Sequence, residues 1–351
     1  MQELPGRVPG PDPHDGADLR VIACFDELMV GNVDTRGLLN AAASLAGCTA
    51  GFCTDLPPPR SVRVAPTGKV VQGRALPPPG SSIRCDGLTV WLEREGPARV
   101  NDGTVLERLM LAVRIRHGRG RREPDRGELG LLLDRSVPVE ERRTAAARLR
   151  LSPGVRYRVL AAPLFAAWED HPAGAEDVVA TPHGPIHALV LPEDRAPGGA
   201  IPSGLGVATT VEHLHRSFRT AVVALRLCAP PEAPCVAADR YGGVIELLAD
   251  TGLDLDFPDV DALDAVMRHA WGPATLDALV RAGSVRQAAR LAGVHHSTLR
   301  TRLDVITGVV GFDPFDGIGR TRLGVAYLIW RLRTSRVLDL PAPTYPATTA
   351  G

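Results

Sequence analysis

A short segment near the C-terminus combines side chains that could bind the phosphates and base edges of a nucleic acid. Between Ser284 and Gly308 it holds arginine, histidine, glutamine, serine and threonine at helical spacing. Arginine can donate two parallel hydrogen bonds to a guanine edge, and hydroxyl and amide groups can contact bases or phosphates. The side chains predicted to make such contacts are His296, Ser297, Thr298, Arg300, Thr301, Arg302, Arg286, Gln287 and Arg290.

Two short helices and a preceding one would position these side chains. A helix over Pro273–Ala282 has proline in its first turn and ends at Gly283. Ser284 is predicted to cap the next helix, Val285–Leu291, because Gln287 follows three residues later as in a capping box. Arg286, Gln287 and Arg290 on this helix are the predicted phosphate contacts.

A tight turn and a second helix complete the pattern. Gly293 supplies the positive φ that the turn needs, and the second helix is expected from His295 or His296 to Thr307, with Gly308 as its stop. Two short helices joined by a glycine-containing turn are typical of a DNA-reading helix-turn-helix. The structural alternative is an ordinary helical hairpin with solvated arginines.

Helical periodicity separates the two faces of the second helix. Leu299, Leu303 and Ile306 fall on one stripe and are predicted to face the core. The opposite face should meet the major groove through the N-terminal half of the helix. This face and its flanks hold Ser297, Thr298, Arg300 and Thr301.

The charge distribution favours the same segment. The whole chain has a formal net charge of zero, but residues 273–336 hold ten arginines and four aspartates, a net charge of +6. A run of aspartates lies just upstream, between Asp250 and Asp264. Such asymmetry is a weak indication of a nucleic-acid-binding module.

The run S-V-R-Q-A-A-R-L-A-G-V-H-H-S-T-L-R-T-R-L-D-V-I-T-G, from Ser284 to Gly308, resembles the C-terminal helix-turn-helix of PucR/CdaR-type bacterial transcription regulators. The family pattern T-L-x-x-R-L-x-x-I is present from Thr298 to Ile306. Two positions depart from the family: His296 stands where arginine is favoured, and Thr301 where an aromatic is common. The resemblance implies a sequence-specific DNA-binding protein.

The upstream chain is predicted to be multidomain, with α+β folds before an all-α C-terminal helix-turn-helix. Its first region has the helix–strands–helix outline of a GAF-like sensory domain, and the middle region resembles the degenerate GGDEF-like domain of such regulators. The predicted division is a disordered tail over 1–18, a GAF-like domain over 19–117, a helical connector over 118–154, a GGDEF-like domain over 155–250, the helix-turn-helix domain over 259–336 and a disordered tail over 337–351.

Periodicity and turn residues also predict individual upstream elements. The expected helices are Val33–Ala46, Thr104–Arg116, Gly127–Arg135, Glu140–Arg150 and Val211–Cys228. The expected strands are Ala50–Thr54, Ser61–Val64, Lys69–Gln72, Thr89–Glu93, Val155–Ala162, Asp177–Ala180 and Ile186–Leu191.

The residues give no support for catalysis. The acidic G-G-D/E-E-F turn of a diguanylate cyclase is absent, because Gly198-Gly199 is followed by Ala200 and Gly242-Gly243 by Val244. The pairs His183/His187 and His213/His215 have spacings that could bind a metal but lack a convincing third ligand, and surface or turn positions are the preferred interpretation. We therefore predict no enzyme activity, no catalytic residues, no metal and no cofactor.

Composition and pattern also define the expected partners. Six scattered cysteines, no long apolar run and a proline-rich N-terminus without signal-peptide character favour a cytoplasmic protein that does not enter membranes. The predicted partners are double-stranded DNA, a second copy of the chain in a homodimer, and a small-molecule effector. The alternative is a signal- or partner-binding scaffold whose helical C-terminal module contacts protein rather than DNA.

Overall fold

The computed structural model describes residues 15–30, 33–55, 60–72, 80–85, 87–117, 127–164, 166–169, 171–251 and 256–339. The chain divides into two compact units. Unit 1 comprises Met1–Glu246 and Arg336–Gly351, and unit 2 comprises Leu247–Ser335. Unit 1 is an α+β body and unit 2 is helical, so the coarse fold class predicted from the sequence is confirmed. Among the described residues, no helix is both long and apolar enough to cross a membrane.

The first part of unit 1 is a four-stranded antiparallel sheet with helices on it. Its strand order is β2-β1-β4-β3. The elements are α1 (Asp15–Val30), α2 (Thr35–Ala46), β1 (Thr49–Thr54), β2 (Arg60–Val64), β3 (Ser82–Cys85), β4 (Leu88–Glu93) and α3 (Asp102–His117). Side chains of all three helices and of the sheet share one core, which includes the fully buried Phe25, Phe52 and Leu109.

Local signals explain where α2 begins and ends. The carboxylate of Asp34 accepts a hydrogen bond from the backbone N–H of Gly37 at 2.7 Å, which caps the first turn. Gly47 has φ +67° and ends the helix in the left-handed conformation that glycine adopts without a Cβ clash. The helix predicted over Val33–Ala46 is therefore confirmed, with its first turn at Thr35.

Three elements of this region differ from the sequence expectation. Helix α1 starts at Asp15, inside the segment predicted as a disordered tail over 1–18, of which residues 1–14 lie outside the described part of the chain. The predicted strand Lys69–Gln72 is wrong, because Val70 makes only an isolated bridge to Val64. Strand β3 was not predicted, since its burial alternates only weakly along its four residues.

The second part of unit 1 is a five-stranded sheet of order β11-β10-β5-β8-β7, preceded by two short helices and covered by a longer one. The elements are α4 (Glu128–Leu133), α5 (Val139–Arg148), β5 (Tyr157–Ala162), β6 (Ala167–Trp168), β7 (Ala175–Thr181), β8 (Gly184–Pro192), β9 (Ala200–Ile201), β10 (Ser203–Leu205), α6 (Leu214–Arg226), β11 (Cys235–Ala237) and α7 (Gly243–Asp250). Strands β6 and β9 form a separate two-stranded ladder.

Helix α6 lies close against this sheet because glycine faces it. A Cβ on Gly204 of β10 would lie 2.2 Å from the carbonyl oxygen of Ala221, so any side chain there would push the helix away. The helices and strands predicted in this part are confirmed within a few residues at their ends. The helix expected over Val211–Cys228 begins with a 3₁₀ turn, Val211–His213, before α6.

Unit 2 is formed from helices. Unit 2 begins inside α7 and contains α8 (Pro258–Met267), α9 (Gly272–Arg281), α10 (Val285–Leu291), α11 (His296–Val310) and α12 (Gly317–Thr334). Leu263, Leu276, Leu299, Ile306 and Leu332 are fully buried and come from four of these helices. Helices α9, α10 and α11 are the three predicted from the capping and turn residues.

Candidate nucleic-acid interface

Helix α10 is fixed at its start by two reciprocal hydrogen bonds. The Ser284 hydroxyl accepts from the backbone N–H of Gln287 at 3.3 Å, and the Gln287 side-chain oxygen accepts from the backbone N–H of Gly283 at 2.8 Å. This is the predicted capping box, except that Gln287 reaches the residue before the cap. The side chain of Gln287, predicted to contact phosphate, therefore already has a structural role in the chain.

The turn between α10 and α11 has the predicted geometry. Gly293 has φ +63°, and the following N–H, of Val294, donates to the carbonyl of Ala289 at 3.0 Å. Ala288 and Ala289 are buried, and their small side chains let α10 pack on both α9 and α11. The turn therefore holds the two helices at a short, defined separation.

His295 positions the first turn of α11. Its imidazole Nδ1 accepts from the backbone N–H of Ser297 at 3.3 Å and lies 2.8 Å from the Ser297 hydroxyl oxygen. His295 is thus the N-cap, and the helix begins at His296, one of the two starting positions expected from the sequence. A capping residue that holds both the backbone and the hydroxyl of Ser297 orders the helix end that is expected to meet the DNA.

The exposed face of α11 is the predicted one. Leu299 and Ile306 are fully buried and Leu303 is half-buried, which fixes the rotation of the helix about its axis. The side chains that face solvent in its first two turns are His296, Ser297, Thr298, Arg300 and Thr301. These neighbouring groups offer hydrogen-bond donors and acceptors beside the helix N-terminus, where the dipole favours anions.

The C-terminal end of α11 was predicted incorrectly. The helix continues through Gly308 to Val310 and ends at Gly311, which has φ +75°. Gly308 is exposed, so the helix passes through it at the modest cost of a glycine in a helix interior. Val310 is buried, and its packing favours the extra turn.

Arg302 lies apart from the exposed set. Its guanidinium donates to the hydroxyl of Thr275 at 2.9 Å and lies 5.3 Å from the ring centroid of Trp271. Thr275 is completely buried, so this hydrogen bond reaches into the interior of unit 2. The arginine predicted to contact DNA therefore joins α11 to the start of α9.

The other arginines of unit 2 fall into two groups. Several pair with acidic or carbonyl groups of the same unit: Arg281 with Asp277, Arg322 with Asp259, Arg333 with Asp261, and Arg320 with the carbonyl of Ala282. Within the part of the chain that the structure describes, Arg286, Arg290 and Arg300 have no such partner, and all three are exposed. Arg268, at the C-terminal end of α8, is also exposed without such a partner. Three of the four unpaired arginines in the described part of unit 2 therefore belong to α10 and the first half of α11.

These pairings correct the interpretation of charge. The window 273–336 is basic, but Leu247–Ser335 contains ten arginines and ten aspartates, so the folded unit has no net formal charge. Two of the upstream aspartates lie on α8 and pair with arginines of α12, and hydrogen bonds from Arg322 hold the pKa of Asp259 below its ordinary value. Local unpaired cations, rather than net charge, distinguish the α10–α11 surface.

Sequence reasoning missed the groups that position the motif from outside it. Trp271 and Thr275 precede or begin α9, and Asp277 accepts a hydrogen bond from Tyr327 of α12. Burial and the neighbouring Asp277 raise the pKa of Tyr327 to about 12. Spacing along one helix carries no signal for such contacts, because each partner comes from a different helix.

Comparison with known proteins agrees with this geometry. Residues 274–329 match the family model described as the PucR C-terminal helix-turn-helix domain. A solved structure, the regulator of polyketide synthase expression from Bifidobacterium adolescentis, shares 16% identity, with 60% of this chain and 98% of that chain covered, at a TM-score of 0.25. That score leaves the overall arrangement of the two chains unmatched, and no curated protein matches this chain. Residues 274–329, which include α10, α11 and the turn at Gly293, are thus identified as a PucR C-terminal helix-turn-helix domain.

Proposed function

We propose that this protein is a transcription regulator of PucR type that binds specific double-stranded DNA through α10 and α11. The observation that carries the proposal is the surface of these two helices, where unpaired, exposed Arg286, Arg290 and Arg300 accompany exposed hydroxyl groups. Bare guanidinium groups beside hydroxyls suit a partner that presents both phosphates and base edges. The family match over 274–329 supports the same function.

Each exposed side chain has a proposed role. Arg300, with Ser297, Thr298 and Thr301, reads base edges in the major groove. Arg286 and Arg290 bind phosphates and fix the register of the protein on the duplex, and His296 contacts the backbone beside them. Arg302 and Gln287 are assigned to holding the domain together, because both already bond within unit 2.

The test is duplex binding by the full-length protein and by Arg300→Ala. Bound fragments are selected from the native genome, and the affinity for the preferred site is measured by fluorescence anisotropy at several salt concentrations. We expect affinity to fall as salt rises, with a slope of about −0.9 per neutralised phosphate. Arg300→Ala should lose about 1–3 kcal/mol on the preferred site and relax its sequence preference.

Arg281→Ala is the matched control. Arg281 is an exposed arginine of the same unit, but its guanidinium is paired with Asp277 at 3.0 Å. It should bind DNA like the unaltered protein. An equal loss for Arg300→Ala on random duplexes would make Arg300 a phosphate contact. Absence of salt-sensitive duplex binding would support the alternative, a scaffold whose helical module contacts protein.

We also propose that the protein acts as a homodimer on paired half-sites. Recognition helices of dimeric regulators enter successive major grooves about 34–36 Å apart. Leu323, Ile329 and Leu332 of α12 are buried, so these three side chains are not available for the dimer contact. Sedimentation of the protein with single and paired half-sites tests this proposal: a dimer binds the paired site at one protein per half-site.

The proposed small-molecule effector has a candidate cavity in unit 1. A space of about 310 Å³ lies among α2, α4, β7 and α6, at the lower end of the range for ligand pockets. Charges of both signs line it, from Asp34, Asp134, Asp177, Arg36, Arg135 and Arg219. Asn40 lines it too, and the buried carbonyl oxygen of its side chain has no hydrogen-bond partner. A small polar molecule with a donor for Asn40 fits these features.

The finer division of unit 1 forms part of the proposal. The region around the four-stranded sheet corresponds to the GAF-like domain predicted over 19–117, and the region around the five-stranded sheet to the degenerate GGDEF-like domain predicted over 155–250. We assign both to sensing rather than catalysis, since the acidic turn of a cyclase is missing from the sequence. A regulator of this kind would work in the cytoplasm. Ligand-induced shifts in melting temperature, absent in Asn40→Ala, would test the sensing role.

A further inference from the structure

Three side chains with metal-binding chemistry converge in unit 1, outside the segment that matches the helix-turn-helix family. Glu176 places a carboxylate oxygen 2.6 Å from Nε2 of His187 and 3.1 Å from Nε2 of His171. One ligand atom from each residue lies within 4.8 Å of the other two. The side chains of Glu176 and His187 are each only 4% exposed, and that of His171 is 12% exposed.

The β7–β8 hairpin brings two of these groups to one face of the sheet. In the antiparallel register Glu176 pairs with Leu189 and Val178 with His187, so Glu176 and His187 are diagonal neighbours on adjacent strands. His171 precedes β7, and its ring lies 4.3 Å from the ring of Trp168 in β6. The cluster therefore depends on the pairing of β7 with β8 and cannot be read from sequence spacing.

The sequence spacing pairs His187 with His183, and surface or turn positions are expected for both. The structure separates them. His183 is exposed and contacts Arg226 at 2.7 Å, whereas His187 is buried beside Glu176. Two further ligands, which spacing along the sequence does not indicate, lie beside His187. Glu176 comes from the other strand of the hairpin, and His171 comes from the segment before that strand.

A hydrogen bond accounts for the contact between Glu176 and His187 but not for the position of His171. His187 and Glu176 form a close pair that satisfies both groups at that contact. Nε2 of His171 is buried and has no hydrogen-bond partner, although it lies 3.1 Å from the same carboxylate oxygen. A buried polar atom without a hydrogen-bond partner destabilises the fold, so a ligand bound to this nitrogen would remove that penalty.

We propose that His171, Glu176 and His187 bind a divalent transition-metal ion of the zinc class. Two imidazoles and one carboxylate form a three-ligand set that zinc accepts, with water or a further protein oxygen in the fourth position. The carboxylate of Glu27 in α1 lies 4.0 Å from Nε2 of His171 and could supply such an oxygen. Hard, oxygen-preferring ions such as Mg²⁺ are disfavoured by the two nitrogen ligands.

The geometry needs only a small adjustment to admit the ion. Ligand atoms about 2.0–2.1 Å from a tetrahedral zinc lie about 3.3 Å from one another. The carboxylate–imidazole separations of 2.6 and 3.1 Å must open by less than about 1 Å. The two imidazole ligand atoms, which lie within 4.8 Å of each other, must approach by at most about 1.5 Å, and side-chain rotation can provide both changes. The ion would take the place of the hydrogen bond between Glu176 and His187, with its proton released to water or moved to Nδ1 of His187, and would also bind Nε2 of His171.

The test uses the full-length protein after treatment with a chelator, titrated with Co²⁺ and then with Zn²⁺. We expect one Co²⁺ per chain with visible d–d absorption, displaced by Zn²⁺, together with quenching of Trp168 fluorescence. Loss of an outer-shell partner weakens metal binding by about 10–100-fold. Glu176→Gln and His171→Phe each remove a direct ligand, so each should weaken Co²⁺ binding by more than that. Glu176→Gln keeps a hydrogen-bonding group beside both imidazoles, and it decides the question if His171→Phe fails to fold.

Two controls make the result specific. His213→Ala removes an exposed histidine, whose ring lies 6.1 Å from that of His215, and should leave the affinity unchanged. Trp168→Phe should abolish most of the quenching while Co²⁺ still binds. Binding that survives both Glu176→Gln and His171→Phe, or that disappears in His213→Ala, would overturn the proposal. No Co²⁺ or Zn²⁺ binding to the unaltered protein would overturn it as well.

Discussion

Substitution of Arg302 distinguishes most clearly between two roles for an arginine of unit 2, namely stabilising the fold and binding DNA. Arg302→Ala removes a hydrogen bond from a charged donor to the buried Thr275 hydroxyl and a cation–π contact with Trp271. A charge-assisted hydrogen bond contributes about 1.5–3 kcal/mol and a partly exposed cation–π contact about 0.5–1 kcal/mol. Because Arg302 is itself half-exposed, we expect a total loss of about 2–3 kcal/mol in the free energy of unfolding of unit 2.

Calorimetry of the full-length protein measures this loss. A domain of 60–100 residues shifts its melting temperature by about 4–8 °C per kcal/mol, so the transition of unit 2 should fall by roughly 10–20 °C. Arg300→Ala, two residues away and exposed, should change stability by less than about 0.5 kcal/mol. The loss for Arg302→Ala should shrink in a Thr275→Val background, since the two residues share the hydrogen bond.

The refuting result is equally definite. If Arg302→Ala melts like the unaltered protein and lowers the salt slope of DNA binding by about 0.9, Arg302 is a phosphate contact in solution. The original sequence prediction would then be right, and the contacts with Thr275 and Trp271 would contribute little. A stability loss with an unchanged salt slope at a temperature where the variant is folded supports the structural role.

Two further predictions concern local stability. Ser284→Ala removes the N-cap of α10 and should lower the free energy of unfolding by about 0.5–2 kcal/mol, measured by denaturant titration. An unchanged midpoint and slope of the unfolding curve would show that water fully replaces the cap. Burial, and then the nearby Arg142, lower the pKa of His215 from 6.5 to about 4. Neutral His215 is therefore favoured in the fold, so its stabilising effect is fully present above pH 6.5 and is lost as the pH falls through about 4. When melting temperature is plotted against pH, His215→Gln should reduce the fall below pH 6.5. Parallel curves for the variant and the unaltered protein would show that His215 does not cause this fall.

Local signals in the sequence predicted the motif well. Ser284, Gly293 and the Leu299–Ile306 stripe each act within one or two turns of helix, and each has the role expected from capping, positive φ or burial. The end of α11 was missed because a glycine can stop a helix or lie within it. Gly308 and Gly311 compete for the stop, and the burial of Val310 decides between them.

Contacts between distant elements could not be predicted in the same way. The sequence pattern predicts that Arg302 is available to contact DNA. Only the packing of α11 near the start of α9 brings its guanidinium to Thr275. The charge interpretation failed for a similar reason, since α8 supplies aspartates from outside the basic window. In the metal-binding cluster, the register of a hairpin joins His187 to Glu176, and periodicity within either strand does not specify that register.

The electroneutrality of unit 2 has a kinetic consequence. With Arg286 and Arg290 as the arginines proposed to bind phosphates, one helix-turn-helix would release about two counterions, a salt slope of about −1.8. Sliding along non-cognate DNA depends on this sequence-independent attraction, so each encounter with a wrong site should be brief. The time that the protein stays bound would then depend on base-edge contacts and on two recognition helices binding at once. Because both helices bind only when two half-sites are correctly spaced, half-site spacing should be the main determinant of the residence time.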